Sequence, residues 1–137
     1  WTMSARLVEL VREAIPMRVQ RTSPGNPAKR TFQALRIEVN DELGVLERAI
    51  PASLHCLSEG GRMVVMSYQS LEDTIVKRAM HAGATSSAPH GLPVVPDSMK
   101  PWLRLITRGA EKASEAEISI NPRSQSVRVR AVERVAA

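Results

Sequence analysis

The stretch "GGRMVVMSYQSLEDTIVKR", Gly60 to Arg78, constrains the fold of this chain more than any other part of it. A paired glycine that can supply a left-handed helix stop is followed by a strand-length apolar run with β-branched residues, Arg62 to Tyr68. Leu71, Ile75, Val76 and Ala79 then recur at helical spacing. A strand that feeds a helix through a two-residue turn demands an α/β layer arrangement, and a run apolar on both faces suits a strand of a parallel sheet buried on both sides. Ser70 and Asp73 have the spacing of a capping box, although Glu or Gln is the usual third partner. Glu72 and Asp73 suit the positive end of the helix, and Glu72 is also placed to order the Tyr68–Gln69 turn.

The remaining pattern extends this order. "SARLVELVREAIP" reads as a helix capped by Ser4, with Leu7, Leu10, Val11 and Ala14 on one face, ended by Pro16. "MRVQRTSPGNPAKR" reads as an exposed basic loop. Phe32, Leu35, Val39, Leu43, Leu46 and Ile50 predict one long amphipathic helix, weakened or bent at Gly44 and Pro51, with "ASLHCL" as a second helical segment. Residues 83–101 read as an irregular connection. "WLRLITR" and "SVRVRAV" read as strands forming an antiparallel pair, with a short turn or helix and a loop between them.

Composition narrows the function classes. With 137 residues and 43% apolar content, one globular domain is expected. No apolar run approaches the roughly 20 residues of a membrane span, and no signal segment is evident, so a soluble, cytoplasmic protein is expected. Cys56 is the single cysteine, which rules out an internal disulfide or a cysteine-based zinc cluster and reads as a buried small residue. His55, His81 and His90 are scattered without carboxylates at ligand spacing, so no metal is expected. Trp102 and Met63 to Met66 read as core. Trp1 in place of methionine points to a piece of a longer polypeptide.

The net charge of +5 is segregated: residues 1–36 hold seven Lys/Arg against two Asp/Glu, residues 37–99 four against eight, and residues 100–137 eight against four. Basic ends around an acidic middle fit a surface that meets phosphates. Lys29, Arg30 and Arg36 lie about a helical turn apart beside the loop, Arg123 follows "NP", and Arg128 and Arg130 share a strand face. The structural alternative is that Arg30 and Arg36 pair with Glu38, Asp41 or Glu42 and tie loop to helix.

"NPAKRTFQALRIEVNDEL", "SEGGRMVVMSYQSLEDTIVKR" and "NPRSQSVRVRAVER" together resemble the MraW (RsmH) family of bacterial S-adenosylmethionine-dependent methyltransferases, which act on N4 of a cytosine in small-subunit ribosomal RNA. The resemblance runs from about Ser4 to Val135, and the Tyr68–Gln69 pair is like actinobacterial members. It implies the second half of a class I (Rossmann-like) methyltransferase sheet, strands five to seven, with an antiparallel terminal pair. Residues 1–22 would end a helical inserted domain, and 23–137 would form the carboxyl-terminal half of the methyltransferase domain. Two departures stand out. Asn26 occupies a position where the family usually has His, so an acid–base role does not carry over. The family's glycine-rich cofactor loop and its acidic partners are missing, because Gly60 and Gly61 precede a strand instead of following one. S-adenosylmethionine is therefore expected for the parent protein and not for this chain alone.

Ligands of open α/β sheets sit beyond the carboxyl ends of the strands, where Tyr68, Gln69 and Ser70 fall. Tyr68 could stack on an unstacked base and Gln69 could bond its edge. The structural alternative is that Tyr68 packs the strand end and Gln69 caps backbone. The catalytic residues are not identified by the sequence. The rival to an rRNA methyltransferase portion is a non-catalytic basic α/β module that binds RNA or protein. Residues 62–68, deprived of a neighbouring strand, are expected to be covered by another copy of the chain, by a swapped segment or by further polypeptide, together with Leu35, Val39 and Leu43.

Overall fold

The computed structural model describes residues 3–22 and 25–135, which divide into two compact units, 1–42 and 43–137. The first is helical: α1 (Met3–Ala14), α2 (Met17–Thr22) and α3 (Ala28–Asn40), with α1 packed on α3. Ser4 lies inside α1 instead of capping it, and the first part of the expected basic loop is helical in α2. Gln20 joins α1 to α2 by donating through Nε2 to the carbonyls of Arg12 and Ile15, both at 2.7 Å. These are carbonyls that the end of α1 leaves without intrahelical donors.

The expected single long helix is two. Asp41, with φ 50° and ψ 37°, is left-handed and ends α3, its N–H donating to Glu38 O. Asp is among the few residues that adopt this conformation readily, and "Asn-Asp" was a stronger break signal than Gly44 or Pro51. Both of those lie inside α4 (Glu42–His55), which absorbs the expected separate "ASLHCL" segment.

In the second unit β1 (Arg62–Ser67) enters α5 (Ser70–Ala84), followed by β2 (Leu103–Leu105), α6 (Glu115–Ile120) and β3 (Arg128–Arg134). The sheet order is β1-β3-β2 and every pairing is antiparallel, with Val65 opposite Arg130, Ser67 opposite Arg128 and Leu105 opposite Val132. The expected antiparallel pairing of the last two strands is present, but β2 is only three residues long. α4 and α5 cover one sheet face through Ile50, Leu54, Val76 and Met80, which bury Leu103 and Val132. Gly83 permits the closest approach of α5 to the sheet: its carbonyl accepts from Trp102 N–H at 3.0 Å. Trp102 is half-buried against the core and stacks on His55 with ring centroids 4.6 Å apart.

Two expectations need correction. β1 is not buried on both faces and its neighbour is antiparallel: Met63 and Val65 pack inward, whereas Val64 is 65% and Met66 57% exposed. Apolar residues on both faces hide the alternation, so the sequence cannot show that one face lacks a covering layer among the described residues. Cys56 is exposed, because it falls just past the end of α4. Leu35 and Val39, expected to be covered by another copy, a swapped segment or further polypeptide, are exposed within this chain, Val39 at 81%. On the open face Glu133 receives Arg62 Nε and Arg104 Nη2, each at 2.8 Å, so one carboxylate ties all three strands in register. The hydrogen bond from Arg62 leads the causes that hold the Glu133 carboxyl below its usual range.

Candidate functional site

Because β1 and β2 both run antiparallel to β3, they are parallel to each other, and their carboxyl ends share one end of the sheet with the amino end of β3. That end carries Tyr68, Gln69, Thr107, Arg108, Arg128 and Arg130.

Gln69, extended at φ −119° and ψ 146°, is the N-cap of α5, one residue before the Ser70 box expected from spacing. Glu72 Oε2 accepts the backbone N–H groups of Tyr68 and Gln69, both at 3.2 Å, and so fixes the strand-to-helix turn. The turn leaves Tyr68 52% exposed, its hydroxyl 3.5 Å from Met66 Sδ. Ser70 contributes its carbonyl to Thr74 Oγ1.

Asp73 has a different role. Its carboxylate receives Arg130 Nε at 2.7 Å and Nη2 at 2.9 Å, a bidentate pair between α5 and β3 with both side chains less than one-fifth exposed. The Arg130 hydrogen bond, then the charges of Arg130, Arg128 and Lys77, hold the Asp73 carboxyl below its usual range against the opposing effect of burial. Arg130 is thus neutralised, and Arg128 is folded onto its own backbone with Nη1 donating to Val127 O at 2.9 Å. Arg123 is exposed on the turn Pro122–Ser126, with its N–H bonded to Asn121 Oδ1.

In the first unit Lys29 and Arg30 line a cavity of about 360 Å3 with Ile15, Gln20, Asn26 and Gln33. Asn26 Oδ1 accepts Ala28 N–H at 3.1 Å and its carbonyl accepts Lys29 N–H at 3.0 Å, so the residue starts α3 instead of offering a titrating group. Arg36 does not join the cavity; its Nε pairs with Glu42 at 2.9 Å, the tie that charge pattern alone had left open. Sequence reading missed Gln20 and Gln33, and in the second unit it missed Lys77, His81 and Arg108, which converge with Arg130 on a shallow notch. Lys77 and His81 at four-residue spacing were the only available signal, since Arg108 comes from a strand end far along the chain.

Among the described residues no three His, Cys, Asp or Glu side chains are grouped to hold a metal, and no helix is long and apolar enough to cross a membrane. Gly60 and Gly61 do not form a turn that could cradle a nucleoside cofactor. The paired glycines lie at the amino end of β1, and their amides are already bonded, Gly60 to Arg134 O and Gly61 to Ser58 O.

Comparison with known proteins adds to this geometry. The family model of the MraW methylase family matches residues 2–135. Ribosomal RNA small subunit methyltransferase H of a Parafrankia species is 59% identical over 137 residues, covering 100% of this chain and 42% of its own length. The proteins of the same name from Beutenbergia cavernae and Frankia casuarinae are 61% and 62% identical, covering 96% and 97% of the chain and 39% and 41% of theirs. The chain thus spans about two-fifths of the length of these curated relatives. The family match over nearly every residue, with relatives about 60% identical along the chain, shows that the chain belongs to the MraW methylase family.

Proposed function

We propose that the chain is the RNA-facing portion of a methyltransferase that uses S-adenosylmethionine to methylate N4 of a cytosine in small-subunit rRNA, acting in the cytoplasm on the rRNA or the ribosomal subunit. In this reading residues 1–22 end a helical insertion and residues 23–137 form the later half of a class I (Rossmann-like) fold. The cofactor is held by polypeptide outside this chain, and the chain alone is inactive. The open edge and face of β1 receive that polypeptide or, in its absence, a second copy through residues 62–68.

The observation that carries the reading is the exposed Tyr68–Gln69 turn, immobilised by Glu72 at the carboxyl end of β1. Methylation of a cytosine amine requires an unstacked base, and an aromatic face with a neighbouring amide suits a base splayed from an RNA loop. In the first unit, the Lys29–Arg30 cavity, within the size range of small-molecule sites, offers cations suited to RNA phosphates. The test is methyl transfer to small-subunit rRNA by the full-length protein. Tyr68→Ala with Gln69→Ala should lower kcat/KM by at least about tenfold, a loss of about 1.4 kcal/mol of transition-state stabilisation, with melting lowered only by the loss of the Gln69 cap. Full activity in that variant would overturn the assignment of the turn to the base.

A further inference from the structure

We infer that the notch formed by Lys77, Thr107 and Arg108 beside Arg130 is a phosphodiester-binding subsite for an RNA strand. The inference rests on the RNA-directed reading above but on residues that reading does not use.

Lys77 and His81 stand one turn apart on α5, Thr107 and Arg108 follow β2, and Arg130 lies on β3, so three elements bring basic groups to one place. Lys77, His81 and Arg108 are exposed, and none has a side-chain hydrogen bond or ion pair among the described residues. Asp73, the carboxylate that answers Arg130, is already engaged by both guanidinium nitrogens. Asp73 acts on Lys77 only through space, as one of several cations around it, and Arg108 has no side-chain ion pair among the described residues. Thr107 Oγ1 accepts Ala131 N–H at 3.1 Å, which leaves its own O–H to donate outward.

Size selects the ligand. The enclosed space is about 10 Å3, roughly the room one water needs, so neither a base nor a whole nucleotide enters. A phosphate oxygen does fit, in a notch lined by the hydroxyl-bearing Thr107 and by Lys77 and Arg108. The Arg130–Asp73 pair forms a neutral, ordered floor, so the two exposed cations are positioned and not merely solvated.

The experiment titrates potassium chloride against binding of a short single-stranded RNA to the full chain, read by fluorescence anisotropy. Lys77→Ala with Arg108→Ala should weaken binding and lower the slope of log affinity against log salt by about 0.7, the contribution of one phosphate contact on a single strand. Lys77→Arg with Arg108→Lys should restore the slope. Arg78→Ala, on the part of α5 that faces Glu47 and Pro51, should leave it unchanged and controls for the loss of a neighbouring positive charge outside the notch. A wild-type slope in the double alanine variant, with salt-dependent binding intact, overturns the notch and leaves the wider RNA reading standing. Wild-type protein without salt-dependent RNA binding overturns both. Equal binding of a polyglutamate peptide, lost in the same variant, overturns RNA as the ligand in favour of an acidic protein.

Discussion

Arg130 grips Asp73 with two near-parallel hydrogen bonds of 2.7 and 2.9 Å, and this pair locks the first turn of α5 to the middle strand of the sheet. Fork-to-carboxylate geometry makes it stronger than a surface ion pair, and partial burial limits screening.

Removing one partner should therefore cost more than a surface substitution. Arg130→Ala is expected to destabilise the second unit by about 2 kcal/mol, as a half-buried charge is left without its partner. The pH dependence follows from the lowered Asp73 value. Its stabilisation is complete above the unfolded carboxylate pKa of about 4 and is lost as pH falls through the lower folded value. Asp73→Asn should lower the urea midpoint at pH 7 and flatten the acid limb below about pH 4. Urea melts from pH 7 to pH 2 check both, and an undiminished acid limb would assign it to other carboxylates.

Glu72 holds the Tyr68–Gln69 turn through two backbone donors. Glu72→Ala should cost about 1 kcal/mol, typical of a lost cap, and should raise the exchange rates of the Tyr68 and Gln69 amides selectively. Hydrogen exchange by NMR reads this directly. A uniform change along α5 would mean that the residue supports the helix and not the turn.

At Gly83 two effects oppose. Alanine is favoured over glycine in a helix, but at the penultimate residue of α5 the gain falls below the interior value of about 1 kcal/mol. Here, however, a Cβ would lie 2.8 Å from Leu103 Cγ and 3.1 Å from Trp102 Cε2, and Leu103 is fully buried with no room to retreat. Overpacking costs about 1–3 kcal/mol, so Gly83→Ala should lower the melting temperature despite its propensity gain. A raised melting temperature would show that β2 can shift away from α5.

The open face of β1 makes an expectation about the longer protein. Val64→Arg should change the stability of this chain by no more than about 0.5 kcal/mol, since the side chain is 65% exposed. In full-length protein the same change should cost about 2 kcal/mol or more, because a charge would be forced against covering polypeptide. Paired thermal melts decide it, and equal effects in both would refute coverage of that face. If a second copy covers β1 in this chain, sedimentation should show the variant shifted toward monomer.

Much of the architecture could be read directly from the residues, because local signals and tertiary needs agree. Leu71, Ile75 and Val76 predict α5 from spacing, and "SVRVRAV" predicts β3 from alternation, since core-facing periodicity is written in the chain itself. The family words around Tyr68 and Arg123 were equally legible. What could not be read were choices made by residues distant in sequence. The pattern marks Arg128 and Arg130 as sharing a face, but the antiparallel register brings Asp73 to Arg130 and removes that arginine from the exposed cations. The same register adds Lys77 and Arg108, 31 positions apart, to one notch. Side-chain periodicity states which residues face inward; it does not state which neighbour meets them there. That depends on strand order, and in this chain placing β3 between β1 and β2 decides which charges are matched and which remain open to a ligand.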